Sequence, residues 1–397
     1  MLQRLDVRHI GPAESMTLDL GERMTFLVGD NGLGKSFLLD LAWFATTRRW
    51  ARGPVVPEDP TRAEVLVSST DGRDQRIDFS NEDMVLGDLV RSDVLAIYAH
   101  VDGGFSVRDP LRNRADPGSF VFSQRTLWDG NEYCEGLIRD WANWQREGSA
   151  AFRRLQRVLE VLSPSPEELL RPGELRRVTL DDPRRHPTLT TPYGRDVPLI
   201  HAAAGMKRIV SLAYLLVWTW EEHLEAQRMS GHAWAHRDVL LLVDEIESHL
   251  HPRWQRRIVP SLLEVMATLM EDEAVATQLV VSTHAPMVLA SVEPTFDPDR
   301  DAIYELDLRD GHVELTQAPW TRRGDANAWL TSSAFDLGEA RSVEAEDALR
   351  AARELLREAA PAADQVQEVD RKLRGTLGET DPFWMRWSYF VGNLASP

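Results

Sequence analysis

The 397-residue chain is predicted to adopt an α/β fold with a buried, mostly parallel sheet. Two short aliphatic segments, 24–28 and 239–243, have the continuous apolar character of strands that are covered on both faces. Each segment is followed by a polar or glycine-rich turn and then by apolar residues at helical spacing. This alternation of strand and helix patterns predicts an α/β architecture.

A glycine-rich turn with the pattern Gly-x-x-x-x-Gly-Lys-Ser follows the first aliphatic strand. Its residues are Gly29, Asp30, Asn31, Gly32, Leu33, Gly34, Lys35 and Ser36. A turn through glycines into a helix N-terminus directs backbone N–H groups at phosphate oxygens. In such a loop we expect Lys35 to reach the β- and γ-phosphates and the Ser36 hydroxyl to bind Mg²⁺. The segment therefore predicts a nucleoside triphosphate site.

The second aliphatic strand ends in two acidic residues, Asp244 and Glu245. Asp244 is predicted to lie beside a Mg²⁺ ion bound through Ser36, and Glu245 to polarise the attacking water as general base. Taken alone, the segment also fits a core strand that ends in a solvated acidic turn. Its combination with a phosphate loop favours the catalytic interpretation.

Composition restricts the protein class. The hydrophobic fraction of 43% and the charged fraction of 27% are typical of soluble globular proteins. The net charge of −18 argues against nonspecific coating of nucleic acid, although it leaves room for a local basic groove. No apolar run approaches about 18 residues, and no secretory signal is evident, so we expect a cytoplasmic protein without membrane contact. The single cysteine, Cys134, forms no internal disulfide.

The other segments also have recognisable periodicities. Residues 2–20 predict a hairpin, and the further predicted strands are 63–68, 76–79, 94–99 and 277–282. Helical spacing of apolar residues is found at 131–163, 205–226 and 252–270. Residues 163–198 are expected to form a loop-rich connection, and residues 342–377 a charged helical tail.

Two segments that follow the acidic pair contribute to a specific resemblance to a known group of proteins. They are Ser248-His249-Leu250-His251-Pro252 and Ser282-Thr283-His284-Ala285-Pro286. Together with the phosphate loop they resemble the head of the SMC/RecF/OLD group of ABC ATPases over about residues 1–315. The resemblance implies an ABC-type P-loop ATPase head with a helical insertion and a C-terminal helical extension. It also implies ATP and Mg²⁺ as cofactors, His284 as a switch histidine at the γ-phosphate, and Ser248 in a loop that crosses a dimer interface.

The resemblance also implies four parts. These are the N-terminal half of the head (1–130), the helical insertion and loop-rich connection (131–198), the C-terminal half of the head (199–315) and the C-terminal extension (316–397). The absence of an Asn-Lys-x-Asp motif favours ATP over GTP. His249 and His251 could instead serve as metal ligands, but carboxylate partners at suitable spacing are not evident.

Residues 201–208 align with the ABC signature, a helix N-terminus that docks on the γ-phosphate held by a second subunit. The family pattern places a serine at Ala203 and glycines at Ala204 and Gly205, with Lys207 close behind. The missing hydroxyl at Ala203 should weaken the closed dimer by about 1.5–3 kcal/mol. The alternative is that Gly205 merely begins a core helix.

A glutamine that senses Mg²⁺ is expected where a strand enters the helical insertion. Gln124 fits that position and is predicted to contact cofactor and metal. Gln145 is the alternative, although its position in the middle of a predicted helix fits less well.

A narrower resemblance involves residues 128–130, 136–141, 201–208 and 212–218, which are similar to ATPases of bacterial anti-phage loci, Septu-like and PARIS-like. It implies a head-to-head homodimer, with higher oligomers left open, that acts as the sensor or regulatory subunit for a separate effector nuclease or toxin. No nuclease motif is visible in this chain.

The alternative function is a RecF-like DNA-repair ATPase that binds nucleic acid directly. Its candidate contacts are the arginines within 153–157, 176–177, 184–185 and 253–257. The aromatic patch at 383–390 is either part of a core or an anchor for a partner.

Overall fold

A computed structural model describes residues 1–394 except positions 73, 80–92, 113–118, 232–233, 235–236, 271–274, 336 and 359–360. The described chain divides into two units, Met1–Ala326 and Asn327–Pro397. The strands are β1 (Leu2–Arg8), β2 (Ser15–Asp19), β3 (Met24–Gly29), β4 (Glu64–Ser69), β5 (Asp74–Asp78), β6 (Leu95–Ala99), β7 (Phe105–Arg108), β8 (Phe120–Phe122), β9 (Arg171–Pro172), β10 (Thr188–Thr190), β11 (Asp196–Pro198), β12 (Asp238–Val243), β13 (Ala276–Thr283), β14 (Asp301–Arg309) and β15 (His312–Gln317). The helices are α1 (Lys35–Thr47), α2 (Gln124–Asp129), α3 (Leu137–Glu147), α4 (Ala150–Val161), α5 (Ala204–Ser230), α6 (Pro252–Gln255), α7 (Ile258–Leu269), α8 (Pro286–Val292), α9 (Ala326–Leu330), α10 (Val343–Leu355), α11 (Ala363–Thr376) and α12 (Phe383–Leu394). The four-part division expected from the sequence stays a prediction.

The main sheet of the larger unit has the strand order β15-β14-β3-β13-β12-β6-β7-β8. The five strands from β14 to β6 run parallel, and antiparallel strands extend both edges. In register, Thr283 of β13 lies opposite Val28 of β3, and Val243 of β12 lies opposite Val281 of β13. The phosphate loop, the acidic pair and His284 therefore follow neighbouring strands at one edge of the sheet. The predicted α/β fold class is confirmed.

A second, antiparallel sheet has the order β2-β1-β4-β5, which confirms the hairpin predicted for residues 2–20. Helix α1 and strands of both sheets contribute to one apolar core, in which Trp43, Leu5 and Val65 are fully buried. The burial explains why α1 has apolar residues on most of its surface: it is covered on several sides. The core holds the helix that begins the phosphate site.

The helical insertion differs in detail from the sequence prediction. Its helical stretch is divided into α3 and α4 by Gly148, which adopts a left-handed conformation with φ of 59°, and Ser149 caps α4. Residues 163–198 were expected to be loop-rich, but they contain the small antiparallel sheet β11-β10-β9. These strands are only two or three residues long, so no periodic pattern reveals them.

Two predicted continuous helices are also divided. Residues 252–270 form two helices, α6 and α7, which are separated by Arg256 and Arg257. The charged tail also forms two helices, α10 and α11, and Pro361 lies just before α11 begins at Ala363. In the smaller unit Trp387 is 1% exposed and packs in the core of α10 and α11. The packing interpretation of the aromatic patch therefore holds for Trp387.

Candidate nucleotide site

The phosphate loop depends on glycine at two positions. Gly29 has φ of 134°, and a Cβ atom there would lie 2.1 Å from the Leu306 carbonyl oxygen. Gly34 has φ of 102°, and its Cβ would lie 2.6 Å from Cγ of Pro12. Both conformations and both close contacts exclude a side chain. Sequence and packing thus agree on a tight loop that presents backbone groups at the start of α1.

Lys35 is held across this loop. Its ammonium donates hydrogen bonds to the carbonyl oxygens of Gly29 at 2.7 Å and Asp30 at 2.8 Å. Burial lowers the pKa of Lys35, and the nearby carboxylates, Glu245 first, oppose that shift. The ammonium therefore lies inside the loop, close to the acidic pair, where a phosphate group would complete its coordination.

Asp244 is fully buried and connects three elements of the site. Its Oδ1 accepts hydrogen bonds from the hydroxyls of Ser36 at 3.0 Å and Ser282 at 2.7 Å. Among the described residues no donor forms a hydrogen bond with Oδ2, although Arg52 Nη1 lies 3.5 Å away as a loose ion pair. A buried carboxylate oxygen that accepts no hydrogen bond is suited to bind a metal ion.

Arg52 is a site residue that the sequence motifs did not reveal. Besides its ion pair with Asp244, its guanidinium donates to Asp40 at 2.8 Å and to the Tyr98 hydroxyl at 3.1 Å. Burial raises the pKa values of Asp40 and Tyr98. Arg52 lies outside any recognisable motif, so only the fold shows that it reaches the acidic pair.

Glu245 follows Asp244 in a left-handed conformation with φ of 45°, which turns its side chain away from the strand direction. Its backbone N–H donates to Ser282 Oγ at 2.7 Å, and its Oε2 accepts from the Ser248 hydroxyl at 3.0 Å. Ser248, predicted to bind cofactor across a dimer interface, thus bonds to the proposed general base within its own chain.

His284 follows β13 and is 43% exposed at its side chain. Its Nδ1 lies 3.0 Å from Oε1 of Glu247, a nearly buried carboxylate three residues beyond Asp244. No motif pointed to Glu247. The available signal was a third acidic residue two positions after Glu245, but its partner His284 is nearly forty residues away in the chain.

Of the predicted signature and glutamine residues, Lys207 and Gln124 line one cavity of about 380 Å³, together with Arg208 and His249 among others. Ala203 lines a separate cavity of about 260 Å³. A Cβ on Gly205 would lie 2.5 Å from the His249 carbonyl oxygen, so the start of α5 packs closely on the segment after the acidic pair. Ala203 is the exposed N-cap residue of α5 and makes no side-chain cap.

The alternative glutamine has a structural role. Gln145 donates to the Gly173 carbonyl at 2.8 Å and accepts from the Trp141 indole at 3.0 Å. Both of its polar ends are therefore used within the insertion, whereas Gln124 lines the cavity.

Arg208 is an unusual buried cation beside the same cavity. Within the described part of the chain, neither of its terminal nitrogens has a hydrogen-bond partner. Burial lowers the pKa of Arg208, while Asp102, Asp244 and Glu245 attract its charge. Since buried polar groups are normally paired, this guanidinium is electrostatically suited to an anion near the acidic pair.

The residues present fit Mg²⁺ and a nucleotide. Mg²⁺ is usually bound through one or two protein ligands together with waters and phosphate oxygens, and the Ser36 hydroxyl with Oδ2 of Asp244 would supply these ligands. In the described residues no group of three His, Cys, Asp or Glu side chains could hold a metal by itself. His251 instead caps α6 by accepting from the Arg253 backbone at 3.3 Å.

Comparison with known proteins identifies relatives. A family model described as "AAA domain, putative AbiEii toxin, Type IV TA system" matches residues 24–290. The "Retron Ec83 probable ATPase" of Escherichia coli is 29% identical over 100 residues, 25% of this chain and 15% of that protein. The "Retron Vc95 probable ATPase" of Vibrio cholerae serotype O1 biovar El Tor is 34% identical over 95 residues, 24% of this chain and 16% of that protein. The chain thus matches only about one sixth of the length of these relatives.

Two solved structures are also similar. The SMC head domain from Thermotoga maritima matches 80% of this chain and 99% of its own, with 14% identity and a TM-score of 0.40. The recombination mediator protein RecF, in the structure described as RecF-ATPrS, matches 79% of this chain and 98% of its own, with 13% identity and a TM-score of 0.36. None of the described helices is long and apolar enough to span a membrane.

Proposed function

Because the chain belongs to this AAA-domain family, we propose that it binds Mg-ATP, hydrolyses it slowly and closes as a head-to-head dimer. The observation that carries the proposal is the junction of Ser36, Asp244 and Ser282, where Oδ2 of the buried carboxylate accepts no hydrogen bond from any described residue and has only a 3.5 Å ion pair with Arg52. A purely structural carboxylate at this depth would be expected to have donors for both oxygens.

The chemistry follows from the chain's own groups. Mg²⁺, when bound by Ser36 and Asp244, neutralises phosphate charge. The backbone N–H groups of the loop and the Lys35 ammonium hold the phosphates in place. Glu245 removes a proton from the attacking water, and Ser248 keeps that carboxylate in position at 3.0 Å. His284 contacts the water at the open side of the site.

Dimerisation is proposed because the start of α5 is exposed and packs on the segment that follows the acidic pair. Ala203 and Ala204 are both exposed, and the unsatisfied N–H groups of a helix start attract an anion. With Gly205 in close contact with His249, a nucleotide from a second copy would meet both segments at once. The alanine at 203 offers no hydroxyl, which supports a weak dimer and slow turnover.

The biological role is proposed from the relatives. The family description names a toxin of a toxin–antitoxin system, and the two curated relatives are retron ATPases. We therefore assign the chain to a cytoplasmic, bacterial anti-phage or restriction-type defence system, as the sensor or regulator of a separate nuclease or toxin.

Direct DNA binding is the alternative, and the structure pairs several of its candidate arginines with acids. The ion pairs are Arg154 with Glu221, Arg184 with Asp129 and Asp182, and Arg253 with Glu168. Paired arginines contribute less to phosphate binding than free ones, because their partners repel the nucleic acid. Salt-dependent binding of duplex DNA by the isolated chain would favour this alternative.

The test is Mg²⁺-dependent ATP hydrolysis by the full chain and two variants. Asp244→Asn should lower turnover by on the order of 100-fold or more, because a metal contributes several kcal/mol of transition-state stabilisation. Ser282→Ala is the comparison: it removes the hydrogen bonds of the Ser282 hydroxyl with Asp244 and with the Glu245 backbone N–H but no proposed metal ligand, so it should lower turnover less than Asp244→Asn does. Hydrolysis that is independent of Mg²⁺, or equal loss in both variants, would contradict the proposed site.

A further inference from the structure

We propose that Glu247 is a positioning residue for hydrolysis: it orients the imidazole of His284 and keeps the ring proton on Nδ1, so that Nε2 accepts a hydrogen bond from the attacking water. The proposal rests on the proposed ATPase function. It adds a residue and a protonation state that neither the motifs nor the relatives assign.

The carboxylate of Glu247 accepts two hydrogen bonds from the end of β13 and lies beside a third polar atom, Nδ1 of His284. Oε1 accepts from the His284 backbone N–H at 2.6 Å and lies 3.0 Å from its Nδ1, while Oε2 accepts from the Thr283 hydroxyl at 2.7 Å. All three atoms belong to Thr283 and His284, at the end of β13. Glu247 itself is only 5% exposed and lies in the turn that follows β12. One side chain thus ties the segment after the acidic pair to the histidine.

The contact between Nδ1 and Oε1 favours one tautomer of His284. An ionised carboxylate only accepts hydrogen bonds, so the ring nitrogen beside it carries the hydrogen. In a neutral imidazole the other nitrogen, Nε2, then has a free lone pair. The ring is 43% exposed, and among the described residues no hydrogen bond to Nε2 is present. Nε2 is therefore the atom available to water in the nucleotide site.

In this arrangement the carboxylates of Glu245 and Glu247 have different tasks, and Glu247 acts through His284. Glu245 takes the proton of the water, whereas His284 holds the water by accepting its second hydrogen at Nε2 without removing it. Orientation of a catalytic imidazole by a buried carboxylate is an established device, because the acceptor fixes both the ring angle and the tautomer. Glu247 has the required burial and the required contact.

Thr283 offers a matched control. Its hydroxyl bonds to the second oxygen of the same carboxylate but does not touch the imidazole. Thr283→Val therefore disturbs the packing of Glu247 without removing its contact with His284. Glu247→Gln is the conservative variant, because the amide oxygen still accepts from the His284 N–H groups. Glu247→Ala removes both contacts.

The experiment combines kinetics with ¹⁵N-histidine NMR of the full chain, using His284→Ala to assign the ring signals. The wild type should show His284 with the hydrogen on Nδ1, and Glu247→Ala should lose that signature. Glu247→Ala should lower kcat by about 10–100-fold, as for other residues that orient a functional histidine, with the ATP dissociation constant unchanged within about 2-fold. Glu247→Gln should retain part of the activity, and Thr283→Val most of it.

The double variant Glu247→Ala/His284→Ala tests whether Glu247 acts by positioning His284 or by stabilising the fold. If Glu247 acts through His284, the double variant should be no slower than His284→Ala alone, because the two effects share one interaction. Multiplicative losses, a hydrogen on Nε2 in the wild type, or equal losses in Thr283→Val and Glu247→Ala would overturn the proposal. A wild type without ATPase activity would refute the proposed function, while the NMR comparison would still decide the tautomer.

Discussion

Replacing Ala203 by serine tests the proposed docking of α5 on a nucleotide. Ala203 has the extended N-cap conformation, with φ of −61° and ψ of 154°, and its side chain makes no cap bond. A serine there gains an N-cap hydrogen bond worth about 1 kcal/mol within the subunit. In the closed dimer it would gain a further charge-assisted bond to phosphate, worth about 1.5–3 kcal/mol at each site. The dimer dissociation constant should therefore fall at least about 10-fold.

Ala203→Asp is the control that separates these two effects. Aspartate caps a helix as well as serine does, so both variants should raise the melting temperature of the nucleotide-free protein. The negative charge of aspartate repels phosphate, so only the serine variant should tighten ATP-dependent dimerisation. Sedimentation velocity with Mg-ATP measures the dimer constant. Equal dimer constants for the serine and aspartate variants would refute docking of α5 on the nucleotide.

Two further predictions concern the loop and the insertion. Gly29→Ala should abolish ATP binding and destabilise the fold, because its Cβ would lie 2.1 Å from the Leu306 carbonyl oxygen. Gly32→Ala has open space around its Cβ and is strained only by its φ of 82°, so it should weaken binding less in the same titration. Burial raises the pKa of Asp140 to about 6, although Tyr214 donates to it at 2.6 Å. Folding thus favours the protonated acid, and its stabilising contribution, complete below about pH 4, should be lost as the pH rises through about 6. In urea unfolding between pH 4 and 7, Asp140→Asn should remove that dependence; an unchanged profile would contradict it.

The sequence predicted the parts of the site that are contiguous in the chain. The phosphate loop and the acidic pair are recognisable because each needs a fixed local order of residues around a strand end. Gly29 shows why: its positive φ and its contact with β14 leave no room for a side chain. The roles assigned to these residues stay predictions until nucleotide binding is measured.

The parts that the sequence did not predict depend on distant contacts. Arg52 follows α1 and lies 3.5 Å from Asp244 at the end of β12. Glu247 lies in the turn after β12 and contacts His284 after β13. Neither contact has a fixed spacing along the chain. The small sheet β9-β10-β11 escaped prediction for another reason, since two- and three-residue strands carry no periodicity. Long-range geometry, rather than local propensity, determines all three features.

The most direct test of the central claim compares Lys35→Ala with Glu245→Gln in nucleotide binding and oligomeric state. Lys35 neutralises phosphate in the ground state, whereas Glu245 acts only on the water during hydrolysis. We expect Lys35→Ala to lose ATP binding and to remain a monomer. Glu245→Gln should bind ATP normally and accumulate as a stable dimer of twice the monomer mass when Mg-ATP is added. Equal loss of ATP binding in the two variants, or a Glu245→Gln protein that stays monomeric with Mg-ATP bound, would contradict the account.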